Sequence, residues 1–152
     1  MGMRHGDVPR ELNELTERVI GAAIEVHRGL GPGYLERIYE AAFCHELSLR
    51  GIRFCRQVEL VVQYKGLDIG GQRADLVVEE SLLVELKAVE SVSDVHLAQL
   101  VSYLHAGRFP YGLLLNFHVP VMHKGVYRRI NPLVLSATSA SPRSDPAGGG
   151  PI

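Results

Sequence analysis

Two acids and a lysine, Asp75, Glu85 and Lys87, stand within the stretch RADLVVEESLLVELKAVE. Asp75 lies in one short apolar run and Glu85-x-Lys87 in the next. Carboxylates brought close together repel each other at neutral pH unless a cation sits between them. Mg²⁺ and Mn²⁺ prefer such oxygen donors, and Mg²⁺ keeps several waters and takes up substrate phosphate. A cation held this way polarises a phosphodiester and acidifies a bound water. A lysine beside it would orient that water or stabilise the charge that develops on phosphate. The chemistry that fits these three residues is Mg²⁺- or Mn²⁺-dependent hydrolysis of a phosphodiester.

Whether they meet depends on a hairpin. Glu85 and Lys87 are two apart on a strand and share a face. A three-residue loop, Glu79-Glu80-Ser81, centres the pairing on Glu80 and sets Asp75 opposite Glu85, on the same face. Leu76, Val78, Val84 and Leu86 then point to the other side. A two-residue loop would shift the register and separate the acids unless a bulge restored it. On its own, D-x₉-E-x-K is a loose pattern, and a soluble strand face with an acid–base pair fits it as well.

The elements that must position this hairpin follow from periodicity. Leu12, Leu15, Val19, Ala22, Ala23 and Val26 recur at helical spacing, predicting a helix over about 10–28 that Gly29, Gly31, Pro32 and Gly33 break. A second helix is expected over about 34–49, ending at Gly51. From Ile52 the period becomes two, with Phe54, Val58, Leu60 and Val62 on the inner side of a strand. Asp94 is the expected N-cap of a third helix reaching about His105. YGLLLNF, Tyr111–Phe117, reads as a strand covered on both faces, and a last strand is expected at Gly125–Ile130. The stretch 82–117 has the length of a β-α-β crossover, which makes its two strands parallel. These elements give an α/β fold, a mixed sheet with helices packed on it.

A chain of 152 residues suits one domain. It is expected at 10–135, between a flexible segment at 1–9 and a disordered Ser-, Pro-, Gly- and Ala-rich tail at 136–152. No apolar run approaches the ~20 residues of a membrane span. The N-terminal residues lack a signal-peptide pattern, so a cytoplasmic location is expected. A formal charge of −1 and a pI near 6.6 argue against a protein that coats nucleic acid, for which values above ~9 are usual. An enzyme that binds nucleic acid locally remains compatible with them. Cys44 and Cys55 lack zinc spacing and are expected to be small buried hydrophobes. The seven histidines show no HxxxH or HxH spacing, and no Walker loop or GxGxxG is present.

AAIEVHRGLGPGYLERIYEAAF contains Gly33-x-x-Glu36-x-x-Tyr39, and RADLVV, LLVELKAVE, AQLVSYL and GLLLNF follow in order. In these motifs, from about Leu12 to Pro132, the chain resembles the GxxExxY family, which is placed among the PD-(D/E)xK nuclease-like proteins. That resemblance implies a restriction-endonuclease-like mixed central sheet flanked by helices. It implies Mg²⁺ or Mn²⁺ as cofactor and nucleic acid, DNA or RNA, as partner, with no membrane. Asp75 and Glu85 become the metal-binding acids, Lys87 the catalytic lysine, and Glu36 a helix-borne acid serving the same metal and chemistry. Ala74 stands where the superfamily name has proline. A plainer reading makes Glu36 a first-turn glutamate stabilised by its helix dipole.

Gln99 and Tyr103 share one face of the third helix. Gln-x-x-x-Tyr resembles a motif beside the active site of exonuclease-like members, which implies contact with phosphate or Lys87. A tyrosine ring packed into the core is the alternative. Gly33, Glu36 and Tyr39, spaced by three, are expected to form a ridge along one helix face; if that ridge lines the cleft, Glu36 adds a third acid and Tyr39 a wall. Glu36 would then lie within about 8 Å of Asp75 or Glu85, sharing a hydrated metal or water. His27 with Arg28, and Lys124 with Arg128 and Arg129, are lesser candidates for phosphate contact. Two functions stay open: a metal-dependent nuclease, and a catalytically weak or inactive nuclease-fold module for binding or assembly, either of them a possible homo-oligomer.

Overall fold

The computed structural model describes residues 8–135. The segments at 1–7 and 136–152, where most of the expected flexible start and all of the expected disordered tail fall, lie outside the described residues. Helices α1 (Arg10–Leu30) and α2 (Glu36–Leu49) come first, followed by strands β1 (Phe54–Tyr64), β2 (Leu67–Val78) and β3 (Leu82–Lys87). Helix α3 (Asp94–Gly107) leads into β4 (Tyr111–Asn116), and a 3₁₀ turn at Met122–Gly125 leads into β5 (Val126–Ile130). The five strands lie in sequence order in one sheet, with β3 and β4 parallel across α3 and every other neighbouring pair antiparallel.

Two apolar clusters cover the two faces. Leu76, Val78, Val84, Leu86, Leu113 and Leu115 face α1 and α2, where Val19, Ala23, Phe43 and Leu47 meet them. Val77, Leu83 and Leu114 pack on the other face with Leu100, Tyr103 and Leu104 of α3. β3 and β4 are thus sandwiched, which is why YGLLLNF shows no alternation. At the end of β4 the chain returns so closely that a Cβ at Gly125 would lie 2.0 Å from the Asn116 carbonyl oxygen, a position only glycine fits.

Several boundaries differ from the expectation. Helix α1 runs on to Leu30 and stops at Gly31 (φ 72°), whose N–H reaches the His27 carbonyl. Helix α2 starts at Glu36 because Leu35 is extended, with ψ 151°. Ser93, not Asp94, caps α3: its Oγ accepts from the His96 N–H, while His96 Nδ1 accepts from the Ser93 N–H. Cys44 is buried as expected, but Cys55 points outward beside the inward Phe54 and is exposed.

Strand β2 pairs with β3 only over Leu76–Val78, yet with β1 along nearly its whole length. The β1–β2 ribbon therefore leaves the sheet as a two-stranded arm. It also turns over where Gln57 faces Asp75. Phe54, Leu76 and Val78 pack with the first cluster, whereas Val58, Leu60 and Ala74 pack with the second. Gln57 has φ 51°, and the regular pairing is interrupted between Arg56↔Leu76 and Val58↔Ala74. The even period expected along β1 breaks there. No membrane-spanning helix, long and apolar enough, occurs among the described residues.

Candidate active site

The β2–β3 turn is the three-residue Glu79-Glu80-Ser81 loop, closed by Val78 opposite Leu82. Glu79 (φ 47°) and Glu80 (φ 61°) take left-handed conformations to make it. Ladder pairing stops at Leu76↔Val84, one residue short of the acids. From there the side chains replace the ladder. The Asp75 N–H donates to Glu85 Oε1 at 2.8 Å, and the Leu86 N–H donates to Asp75 Oδ2 at 2.8 Å. Asp75 and Glu85 are thus brought together at the point where the two strands part.

Glu85 is 6% exposed. Burial, reinforced by the Asp75 charge, pushes its pKa up to about 8, against the pull of the Asp75 N–H and of Lys87. Burial also raises Asp75; the Leu86 N–H opposes it, Glu40 adds to it, and Lys87 and the Gln57 side chain oppose it. Two acids held together with too little positive charge resist ionisation. Lys87, half-buried at the end of β3, is their common cation. Its strand end is braced by β4: the Phe117 N–H donates to the Lys87 carbonyl at 2.9 Å. Next to it, the buried Asn116 side chain accepts from the Val89 and His118 N–H groups and donates to the Val89 carbonyl.

Glu36 begins α2 and is exposed. Partial desolvation raises its pKa, Lys87 lowers it, and Asp75 and Glu40 raise it, so α2 brings Glu36 to the same end of the sheet. The other two named members of its motif do not line a cleft. Gly33 (φ 111°) lies in the loop before the helix, and a Cβ there would meet nothing within 4 Å. Its role is conformational. Tyr39 is fully buried and stacks on Phe117 with centroids 4.7 Å apart, while its hydroxyl donates to the Gly31 carbonyl and accepts from the Tyr34 N–H. It pins the glycine loop to the core.

On α3, Tyr103 is 7% exposed within the second cluster, and its pKa is raised by burial and then by Glu85 and Asp75. It thus combines a packed ring with a hydroxyl near the acids. Gln99, one turn earlier, is exposed. His27 is buried and its Nε2 bonds the Val119 carbonyl at 2.7 Å, so it serves the fold. Arg128 reaches Glu17 at 3.6 Å, and Arg129 donates to the Arg128 carbonyl.

Three neighbours of the acids escaped the sequence reading. Glu40 is 9% exposed, and Arg56 donates to it through Nε at 3.1 Å and Nη2 at 2.8 Å. The Gln57 amide donates to Glu40 at 3.3 Å, and the Gln57 side chain also acts to lower the Asp75 pKa. Arg56 and Gln57 therefore both hold Glu40, which in turn acts on the Asp75 charge. The i,i+4 spacing of Glu36 and Glu40 was the signal that could have found Glu40.

Among the described residues, no three Asp, Glu, His or Cys side chains converge closely enough to hold one ion. Two carboxylates suffice for Mg²⁺, which fills its shell with waters and substrate phosphate. The donor set at Asp75 and Glu85, hard oxygens facing an excess of negative charge, fits such a cation.

No curated protein and no solved structure shows significant similarity to the chain. A family model described as PD-(D/E)XK nuclease superfamily matches residues 13–130. The mixed sheet flanked by helices agrees with the restriction-endonuclease-like fold of that superfamily. On a match that spans nearly all of its described residues, the chain belongs to the PD-(D/E)XK nuclease superfamily.

Proposed function

We propose that the protein is a divalent-cation-dependent nuclease that hydrolyses phosphodiester bonds of nucleic acid, and that it represents the GxxExxY branch of its superfamily. The observation that carries this reading is the reciprocal tie between Asp75 and Glu85, with Lys87 on the same strand as Glu85. A hard divalent ion bound there, Mg²⁺ or Mn²⁺, supplies Lewis acidity to phosphate and acidity to a coordinated water.

Asp75 and Glu85 would hold the cation through their carboxylate oxygens, which bind it in the ionised form. Lys87 donates to a phosphoryl oxygen as charge builds on it. Glu36, with a pKa above that of a free glutamate, is the stronger base for it and accepts the proton of the attacking water. The Tyr103 hydroxyl, whose pKa is raised by burial and then by the acids, donates to a neighbouring phosphate, and Gln99 extends that contact along α3.

The competing reading is a binding or assembly module of the same fold. It is favoured by the lack, among the described residues, of a ready three-residue ligand set. Incubation with single- and double-stranded DNA and RNA in Mg²⁺ or Mn²⁺ separates the two. Wild type should cut at least one substrate, and Lys87→Ala should lose about 10²–10³-fold in rate with its fold intact. Wild-type silence on all four overturns the nuclease reading.

A further inference from the structure

Between the β1–β2 arm and the end of α3 lies a groove of about 860 Å³, a volume within the usual range for small-ligand sites. Its apolar side is built by Val58, Leu60 and Val62, and polar groups come from Gln72, His105 and Arg108. It lies on the side of the sheet that α3 covers. Val58 is paired with Ala74, the residue before Asp75. Ser102, which also lines the groove, precedes Tyr103, whose hydroxyl feels Glu85 and Asp75.

We infer that this groove receives an unpaired nucleotide of the strand whose phosphodiester lies at Asp75 and Glu85. The inference rests on the nuclease reading and adds the substrate class, a single-stranded or frayed segment. A base has apolar faces and polar edges, and the groove offers apolar side chains beside an amide. The Gln72 Oε1 is buried and accepts no hydrogen bond from the chain, an arrangement that costs stability until a donor arrives. The exocyclic amino group of a base is such a donor, and in a duplex that group is engaged with its complement. Arg108, in a left-handed conformation just after α3, supplies positive charge for the adjoining phosphate, and His105 one turn before it adds a ring nitrogen for hydrogen bonding.

The test uses full-length protein carrying Lys87→Ala, in Mn²⁺, and reads anisotropy of short labelled single-stranded DNA, single-stranded RNA and blunt duplex. At least one single strand should bind roughly tenfold more tightly than duplex, the scale of one stacked base. The two single-stranded arms distinguish DNA from RNA. Ala106→Trp, which fills the groove, should remove that preference. Val62→Glu, at a solvent-facing position that leaves packing alone, should do the same by repelling phosphate, and it keeps the test valid if the tryptophan variant misfolds. Equal affinity for single strand and duplex, or a preference unchanged in Val62→Glu, overturns the inference. With Lys87 restored, hydrolysis of bis(p-nitrophenyl) phosphate, too small to need the groove, reports on the acids alone. Hydrolysis of this small diester without single-strand preference sinks the groove and spares the nuclease. Single-strand preference without hydrolysis does the reverse.

Discussion

Asp75 and Glu85 each accept the backbone N–H that the other's strand presents, so each acid fills the place where the next rung of the ladder would be. A carboxylate removed here leaves a part-buried N–H without an acceptor. Asp75→Ala should therefore destabilise the protein by about 1–3 kcal/mol, whereas Asp75→Asn, which keeps an oxygen for the Leu86 N–H, should cost much less. Urea unfolding of the two variants checks this, and equal losses would show that the hydrogen bond contributes nothing.

The same pair predicts metal affinity. Calorimetric titration should show wild type binding Mn²⁺ and Asp75→Asn binding it at least about tenfold more weakly, since one of two charged donors is gone. An unchanged affinity would remove Asp75 from the ligand set.

Stability should depend on pH with an unusual sign. The folded pKa of Glu85, about 8, lies above its ordinary value of 4.5. Between these values a folded Glu85 holds more proton than an unfolded one, so the stability it contributes is fullest below pH 4.5 and is lost as pH rises through 8. Asp75 and Glu36 shift in the same direction. In the absence of metal, melting at pH 6 should exceed that at pH 8.5 by on the order of 5 °C, and Glu85→Gln should shrink the gap. A wild-type melting temperature that climbs from pH 6 to 8.5 would contradict the assignment.

Arg56 offers a test of the network that sequence reading missed. Arg56→Ala strands the Glu40 carboxylate, whose side chain is only 12% exposed, beside Asp75. A loss of about 1–3 kcal/mol is expected, and Glu40→Gln in the same background should recover part of it by removing the isolated charge. Thermal or chemical unfolding of the double-mutant cycle measures the coupling, and additive losses would argue against it.

The hairpin was legible because a period of two puts Asp75 and Glu85 on one face only when the loop has an odd number of residues, and β4 because nothing in Tyr111–Phe117 alternates. What stayed hidden depends on contacts between distant segments. Glu40 and Arg56 meet only because the fold brings α2 up to the start of β1. Tyr39 looked like a cleft wall on the assumption that the helix already ran at Gly33, but an extended Leu35 delays it to Glu36. The turnover of the ribbon is carried by Gln57 at positive φ, a conformation that no glycine announces in the sequence. Ser93 and Asp94 are both good capping residues, and the choice between them was made by His96 reaching back to the Ser93 N–H.

From Asp75 to Lys87 is thirteen consecutive residues. The spacing of the two acids is set inside that hairpin, so lengthening any other connection leaves it untouched. One residue more or less at Glu79–Ser81 would exchange the faces and part them. The arm turn at Lys65-Gly66 carries no such restriction, since growth there extends a groove wall and moves neither acid. The stretch that sets the spacing of the two acids is thus separate from the stretch that sets the length of the groove wall.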